Sequence, residues 1–138
     1  MHLHRTRFET ELQVRPDDLD MFRHVHSSRY QDYVLAARFD QMERCYGMSM
    51  EEFLELGFGW FVKTSHFEYK RQLGLGEHFI VRTWVEKLAG SDVEVHFEIV
   101  KKANAKLACS GWCIYALIKL ETGRAETIPD WIAQKYVV

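Results

Sequence analysis

Residues 28–47 read SRYQDYVLAARFDQMERCYG, and this stretch decides the architecture. Tyr30, Tyr33, Val34, Ala37, Gln41, Met42 and Cys45 recur at i, i+3, i+4, i+7 spacing, the period of one helix face. Ser28 with Gln31 three residues on forms a candidate capping box, and Gly47 supplies the stop. The spacing predicts one helix of about 17 residues. Leu35, Phe39 and Tyr46 widen its apolar surface well past a single stripe. A helix apolar over most of its girth is expected to be wrapped by other structure, not laid on a surface.

Outward from this helix the pattern changes to strand. Upstream, Phe8–Arg15 alternates apolar and polar residues; Pro16 and Asp17-Asp18-Leu19-Asp20 end the alternation, and a loop runs from Met21 to Ser27. Downstream, Ser49-Met50-Glu51-Glu52 is a second capping box, opening a short helix that ends at Gly57. Strands are predicted at Trp60–Tyr69, His78–Leu88, Val93–Ile99 and Leu107–Leu120. Turns separate them at Ala89–Asp92, at Asn104 and at Glu121–Arg124. Pro129–Tyr136 reads as a short terminal helix. The order β-α-α-β-β-β-β-(α) gives an α+β fold class: a curved, mainly antiparallel sheet of about five strands wrapped around one long helix. Residues 1–138 are expected to form a single domain. One sheet face stays uncovered in this arrangement, and a second copy of the chain is the expected cover, giving a homodimer or homotetramer.

Composition narrows the function. Eighteen basic against twenty acidic residues give a net charge of −2, without the basic excess of a nucleic-acid binder. No run approaches the ~20 apolar residues of a membrane helix, and the N-terminus lacks a signal-peptide core. Three cysteines, Cys45, Cys109 and Cys113, are an odd count in a chain long enough to need no disulfide, which fits a reducing cytoplasm. There is no G-x-S-x-G elbow, phosphate-cradling loop, H-E-x-x-H or dinucleotide fingerprint. The pairs His2-x-His4 and His24-x-His26 lack an obvious third ligand, so no metal site is expected. Cys109 and Cys113 read as small buried hydrophobes.

The chemistry concentrates in residues 14–33, VRPDDLDMFRHVHSSRYQDY, which run into the start of the long helix. Unpaired N–H groups at a helix start can hold a developing oxyanion, and a carboxylate just upstream can reach the same point. Together they would suit hydrolysis of an activated acyl group; a solvated turn with capping aspartates is the equally weighted alternative.

Here the sequence resembles a family. Asp20-Met21-Phe22-Arg23-His24-Val25-His26-Ser27-Ser28-Arg29-Tyr30 is similar to the D-x-x-G-H-V-N-N-x-x-Y signature of hotdog-fold acyl-CoA thioesterases of the 4-hydroxybenzoyl-CoA thioesterase group. Asp18-Leu19-Asp20 resembles the family's D-x-D. Tyr30, Tyr33 and Arg38 resemble the pattern along its central helix. Tyr69-Lys70-Arg71-Gln72-Leu73 followed by Gly76-Glu77 resembles Y-x-R-P-L-x-x-G-D, and Thr122-Gly123-Arg124 with Ile128-Pro129 resembles the family's ending. The resemblance implies a hotdog fold with the active site between two subunits. It implies hydrolysis of an acyl-CoA thioester to free acid and CoA, with no metal or organic cofactor. Asp20 matches the catalytic aspartate, nucleophile or base for water. Ser27 matches the residue whose backbone N–H polarises the thioester carbonyl.

Two departures stand in the signature. Arg23 replaces a glycine, so a left-handed backbone is disfavoured there and the loop is expected to be shaped differently. His26 replaces an asparagine and is a candidate to orient water, with a plain loop histidine as the alternative. Tyr30 and Arg71 are candidate substrate contacts, Arg71 with Lys70, Lys101 and Lys102 facing CoA phosphates. Trp60, Phe61 and Val62 are candidates for the acyl pocket, and for plain core. Asp17 and Asp18 read as loop or capping carboxylates. A histidine-based hydratase or dehydratase using His24 or His26, and a non-catalytic acyl-ligand binder, are the rival functions.

Overall fold

The computed structural model describes residues 2–138. Strand β1 (Phe8–Gln13) leads through a 3₁₀ turn at Pro16–Asp18 and a hairpin loop to helix α1 (Arg29–Arg44). Helix α2 (Met50–Glu55) follows, then β2 (Phe58–Tyr69), β3 (His78–Ala89), β4 (Asp92–Lys101), β5 (Leu107–Lys119) and a short β6 (Arg124–Ala125). A four-residue helix α3 (Asp130–Ala133) and a 3₁₀ turn end the chain. The strands form one antiparallel sheet ordered β1-β3-β4-β5-β2, with β6 added on β5. Register shifts at Val62/Thr64, Val85/Lys87 and Ile99/Val100 mark irregularities of the kind that increase sheet twist.

The alternation read from the sequence is the burial observed. Val93, Val95, Phe97 and Ile99 on β4 are buried, and Phe79, Val81, Thr83 and Val85 on β3 lie buried beside them. Strand β5 buries residues of both parities, Ala108 and Cys109 at one end and Ala116 and Leu117 at the other, so both of its faces are covered at those points. Helix α1 buries Tyr30, Tyr33, Val34, Ala37, Arg38, Gln41 and Met42. Gln41 ties it to the sheet: its Nε2 donates to Thr10 Oγ1 (3.0 Å) and to the Phe8 and Val81 carbonyls, and its Oε1 accepts from the Thr83 hydroxyl.

The capping boxes part company. Ser49 and Glu52 form theirs: Ser49 Oγ accepts from the Glu52 N–H at 3.2 Å. Ser28 does not cap through its side chain. It already lies in the helical region, with φ −65° and ψ −20°, and its hydroxyl is bonded to His26 two residues back, so it does not reach Gln31. The predicted turn at 121–124 also carries β6, which pairs Arg124 with Lys119 and Ala125 with Ile118.

Candidate functional site

The loop before α1 is a hairpin. Leu19 pairs with Val25, and the Asp20 N–H donates to the His24 carbonyl at 2.9 Å. Met21, Phe22 and Arg23 form its three-residue tip, closed by an Arg23 N–H to Asp20 C=O bond at 3.1 Å. Such tips combine a type I turn with a left-handed last residue, usually glycine. Arg23 occupies that place with φ 63°. The sequence expectation that an arginine would keep the loop out of this conformation is therefore corrected: the ladder on either side and the Asp20 turn hold Arg23 there. A left-handed non-glycine residue costs about 1–2 kcal/mol. Arg23→Gly is expected to relieve it and, against the greater flexibility of the unfolded chain, to raise stability by about 0.5–1 kcal/mol in denaturant melts. Unchanged or lower stability would show that Arg23 contacts outweigh the strain.

Asp20 opens this turn and also orders it. Its Oδ1 accepts from the Phe22 N–H (2.8 Å) and the His24 N–H (3.3 Å). Its Oδ2 has no hydrogen-bond partner among the described residues. The carboxylate is thus oriented by backbone through one oxygen, with the other unengaged. Asp18 is spent differently. It is 7% exposed, accepts the Tyr33 hydroxyl at 2.6 Å and the Arg15 N–H at 2.9 Å, and its carbonyl accepts from His26 N–H. Burial, then the bond to Asp18, pushes the Tyr33 phenol far up, so it stays a protonated donor. Asp17 lies exposed beside Arg15 (3.3 Å).

At the helix start the N–H groups are mostly engaged. That of Ser28 donates to His26 Nδ1 (3.1 Å), that of Arg29 to the His26 carbonyl (2.9 Å), and that of Tyr30 to the Ser27 carbonyl (3.4 Å). The Ser27 N–H has no partner among the described residues, and Ser27 is exposed. Because a backbone N–H only donates, Nδ1 of His26 is an acceptor, which puts the proton of the neutral ring on Nε2. Under this start lies Tyr30, its ring 5.2 Å from that of Tyr69 in an edge contact. Burial pushes the Tyr30 phenol up to about 12. Tyr69, whose hydroxyl donates to the Ser27 carbonyl at 3.4 Å, was quoted in a motif but given no role by sequence.

The other candidates lie elsewhere. Trp60 and Val62 line a cavity of about 380 Å³ between α1, α2, β2, β4 and β5. Phe61, between them in a strand, faces the opposite side and is 59% exposed. Of the cations suggested for CoA phosphates, Lys70, Lys101 and Lys102 are engaged by Glu68, Glu77 and Glu11. Arg71 donates only to the Leu107 carbonyl (2.9 Å). The cysteine thiols are free; burial pushes that of Cys109 up to about 12, which disfavours a thiolate nucleophile. Among the described residues no three His, Cys, Asp or Glu side chains are grouped to hold a metal, and no helix is long and apolar enough to cross a membrane.

The fold has counterparts among known proteins. The model of the thioesterase-like superfamily matches residues 14–136, and the chain belongs to that family. The long-chain acyl-CoA thioesterase FadM of Escherichia coli K12 is 20% identical over 127 residues, covering 92% of this chain and 95% of that protein. The DHNA-CoA thioesterase of Staphylococcus aureus superposes with a TM-score of 0.87 at 25% identity, covering 94% of this chain and 88% of that one. A second Staphylococcus aureus protein, SAV2348, solved in complex with CoA, shares the fold (TM-score 0.81, 19% identity, 95% and 82% covered).

Proposed function

We propose that this chain is an acyl-CoA thioesterase that hydrolyses R–CO–S–CoA to a carboxylic acid and CoA. The observation that carries the reading is that one short loop holds two groups without a partner among the described residues, the Asp20 Oδ2 and the Ser27 N–H. The Ser27 N–H and the positive end of α1 polarise the thioester carbonyl and hold the negative charge that develops on its oxygen. Asp20 takes the proton of the attacking water, or attacks the carbonyl itself and is released by water. In either route the C–S bond breaks, the electron pair leaves on sulfur, and the thiolate takes up a proton. His26, with Nε2 as donor, orients the water. Arg71, free of a carboxylate, meets a CoA phosphate. The acyl group enters the cavity of Trp60 and Val62, with Phe61 outside it, and Tyr30 contacts the substrate under the helix start. No metal or organic cofactor takes part.

In this reading residues 1–138 act as one domain, with α1 as the central helix wrapped by the sheet, in the reducing cytoplasm that three free thiols suit. The assembly is a homodimer at least. Strand β2 pairs on one side only, with β5, leaving a 12-residue edge open; Phe61 and Tyr69 on it, and Leu35, Phe39 and Leu54 nearby, are exposed. A long open edge flanked by apolar side chains is a pairing surface. Sedimentation at micromolar concentration should give twice the chain mass or more; a stable, active monomer would contradict it.

The reaction is tested by offering the protein both a saturated acyl-CoA and an enoyl-CoA. Thiol release with recovery of the free acid is expected. Hydration of the enoyl thioester without thiol release would assign a hydratase instead.

A further inference from the structure

The cavity that takes Trp60 and Val62 is apolar but for one charge. Arg38, on the inner face of α1, lines it and is 6% exposed. A guanidinium has five N–H donors. Here its partners are neutral: Nη1 donates to Thr83 Oγ1 at a long 3.3 Å, and the group lies over the Tyr46 ring, 5.0 Å from its centroid, with the Tyr46 hydroxyl in reach. No carboxylate lies within 4.0 Å of it among the described residues: every Asp or Glu paired with an arginine or lysine is paired with another one. The Trp60 Nε1, on another wall of the same cavity, is a buried donor with no hydrogen-bond partner among the described residues. A buried cation without a counter-ion is costly, and buried polar groups normally find partners. A buried cation with only neutral partners, set in the wall of an apolar cavity, therefore points to an occupant that brings an anion.

We infer that the cavity binds an apolar chain ending in a carboxylate, with Arg38 as its anchor and the walls of Leu35, Phe39, Met42 and Tyr136 around the chain. The walls take the hydrocarbon, and the guanidinium takes the carboxylate through charge-assisted bonds that are strong where water is excluded. Two sources carry that chemistry: the far end of a dicarboxylic acyl thioester, and a free fatty acid such as a released product. The inference rests on the thioesterase reading only for naming the cavity as the acyl pocket; the binding itself needs no hydrolysis.

The test is titration of the wild-type protein with decanoate and with decan-1-ol, both below their aggregation limits, followed by calorimetry and tryptophan fluorescence. Decanoate should bind about tenfold or more tightly than the alcohol. Arg38→Met should abolish that preference while leaving decanol binding in place, and Arg38→Lys should restore part of it. Equal affinity of the wild type for acid and alcohol, or a preference that survives in a folded Arg38→Met, would overturn the inference. If Arg38→Met does not fold, the wild-type comparison decides alone. Relative kcat/KM for the monothioester of a ten-carbon diacid and for decanoyl-CoA separates the sources. A diacid preference assigns the anion to the substrate's far end; no preference, with decanoate binding retained, assigns it to the free acid. Decanoate binding with no hydrolysis of either thioester would count against the hydrolase reading and leave the carboxylate site standing.

Discussion

Asp20→Asn should lower kcat for acyl-CoA hydrolysis by about 10²–10⁴, which is roughly 3–5 kcal/mol of transition-state stabilisation. The substitution is unusually clean here. Asparagine keeps the Oδ1 that accepts from the Phe22 and His24 N–H groups, and it is favoured at the first position of such turns, so the loop should survive. What it removes is the second carboxylate oxygen, the one without a partner. KM should therefore change far less than kcat. Asp17→Asn, on an exposed residue paired only with Arg15, should leave kcat within about a factor of two. His26→Ala separates the roles of the helix start: a tenfold or greater loss in kcat is expected if Nε2 orients water. Near-normal thiol release from a folded Asp20→Asn would remove the aspartate from the mechanism and move the chemistry to a histidine.

Asp18→Ala should act on stability. Its carboxylate serves the buried Tyr33 hydroxyl and the Arg15 N–H together, so truncation strands a buried phenol and an N–H at once. A loss of about 2–4 kcal/mol follows from leaving such groups unsatisfied, or about 10 °C in the melting temperature of a chain this size. Tyr33→Phe removes the phenol that Asp18 serves. In the double variant the two losses should be less than additive, because the hydrogen bond is counted in both single changes. Strict additivity would mean that the 2.6 Å contact carries no coupling, and that Asp18 acts only through the Arg15 N–H and Arg29.

The sequence made the long helix and the β4 alternation legible because both are local periodicities: α1 runs Arg29–Arg44, and Val93, Val95, Phe97 and Ile99 are buried as read. The loop bearing Asp20 was marked by its signature residues, though not its hairpin form, and Asp18 was read as a loop or capping carboxylate. What stayed hidden depends on contacts across the fold. The Asp18–Tyr33 bond joins residues 15 apart, and nothing in either neighbourhood announces it. Ser28 looked like a cap because Gln31 stands three residues on, but a histidine side chain two residues earlier competes for its hydroxyl. Arg23 was expected to avoid a left-handed backbone; the flanking ladder outweighs a local preference of 1–2 kcal/mol, as tertiary context commonly does. Phe61 was grouped with Trp60 and Val62 by adjacency, although strand alternation alone would have set it on the other face. Arg38 was noted only as part of a helix pattern. Its lack of a carboxylate partner can be seen only once the sheet is placed around it.

The most direct measurement of the central claim is CoA release by the purified protein across aromatic, short-chain, long-chain and dicarboxylic acyl-CoA substrates, with binding of each followed in the same samples. Saturable turnover well above the uncatalysed rate is expected for at least one class, and its loss in Asp20→Asn without loss of binding. Saturable binding of acyl-CoA with no thiol release from any member would contradict the hydrolase and make this chain a binder of acyl ligands.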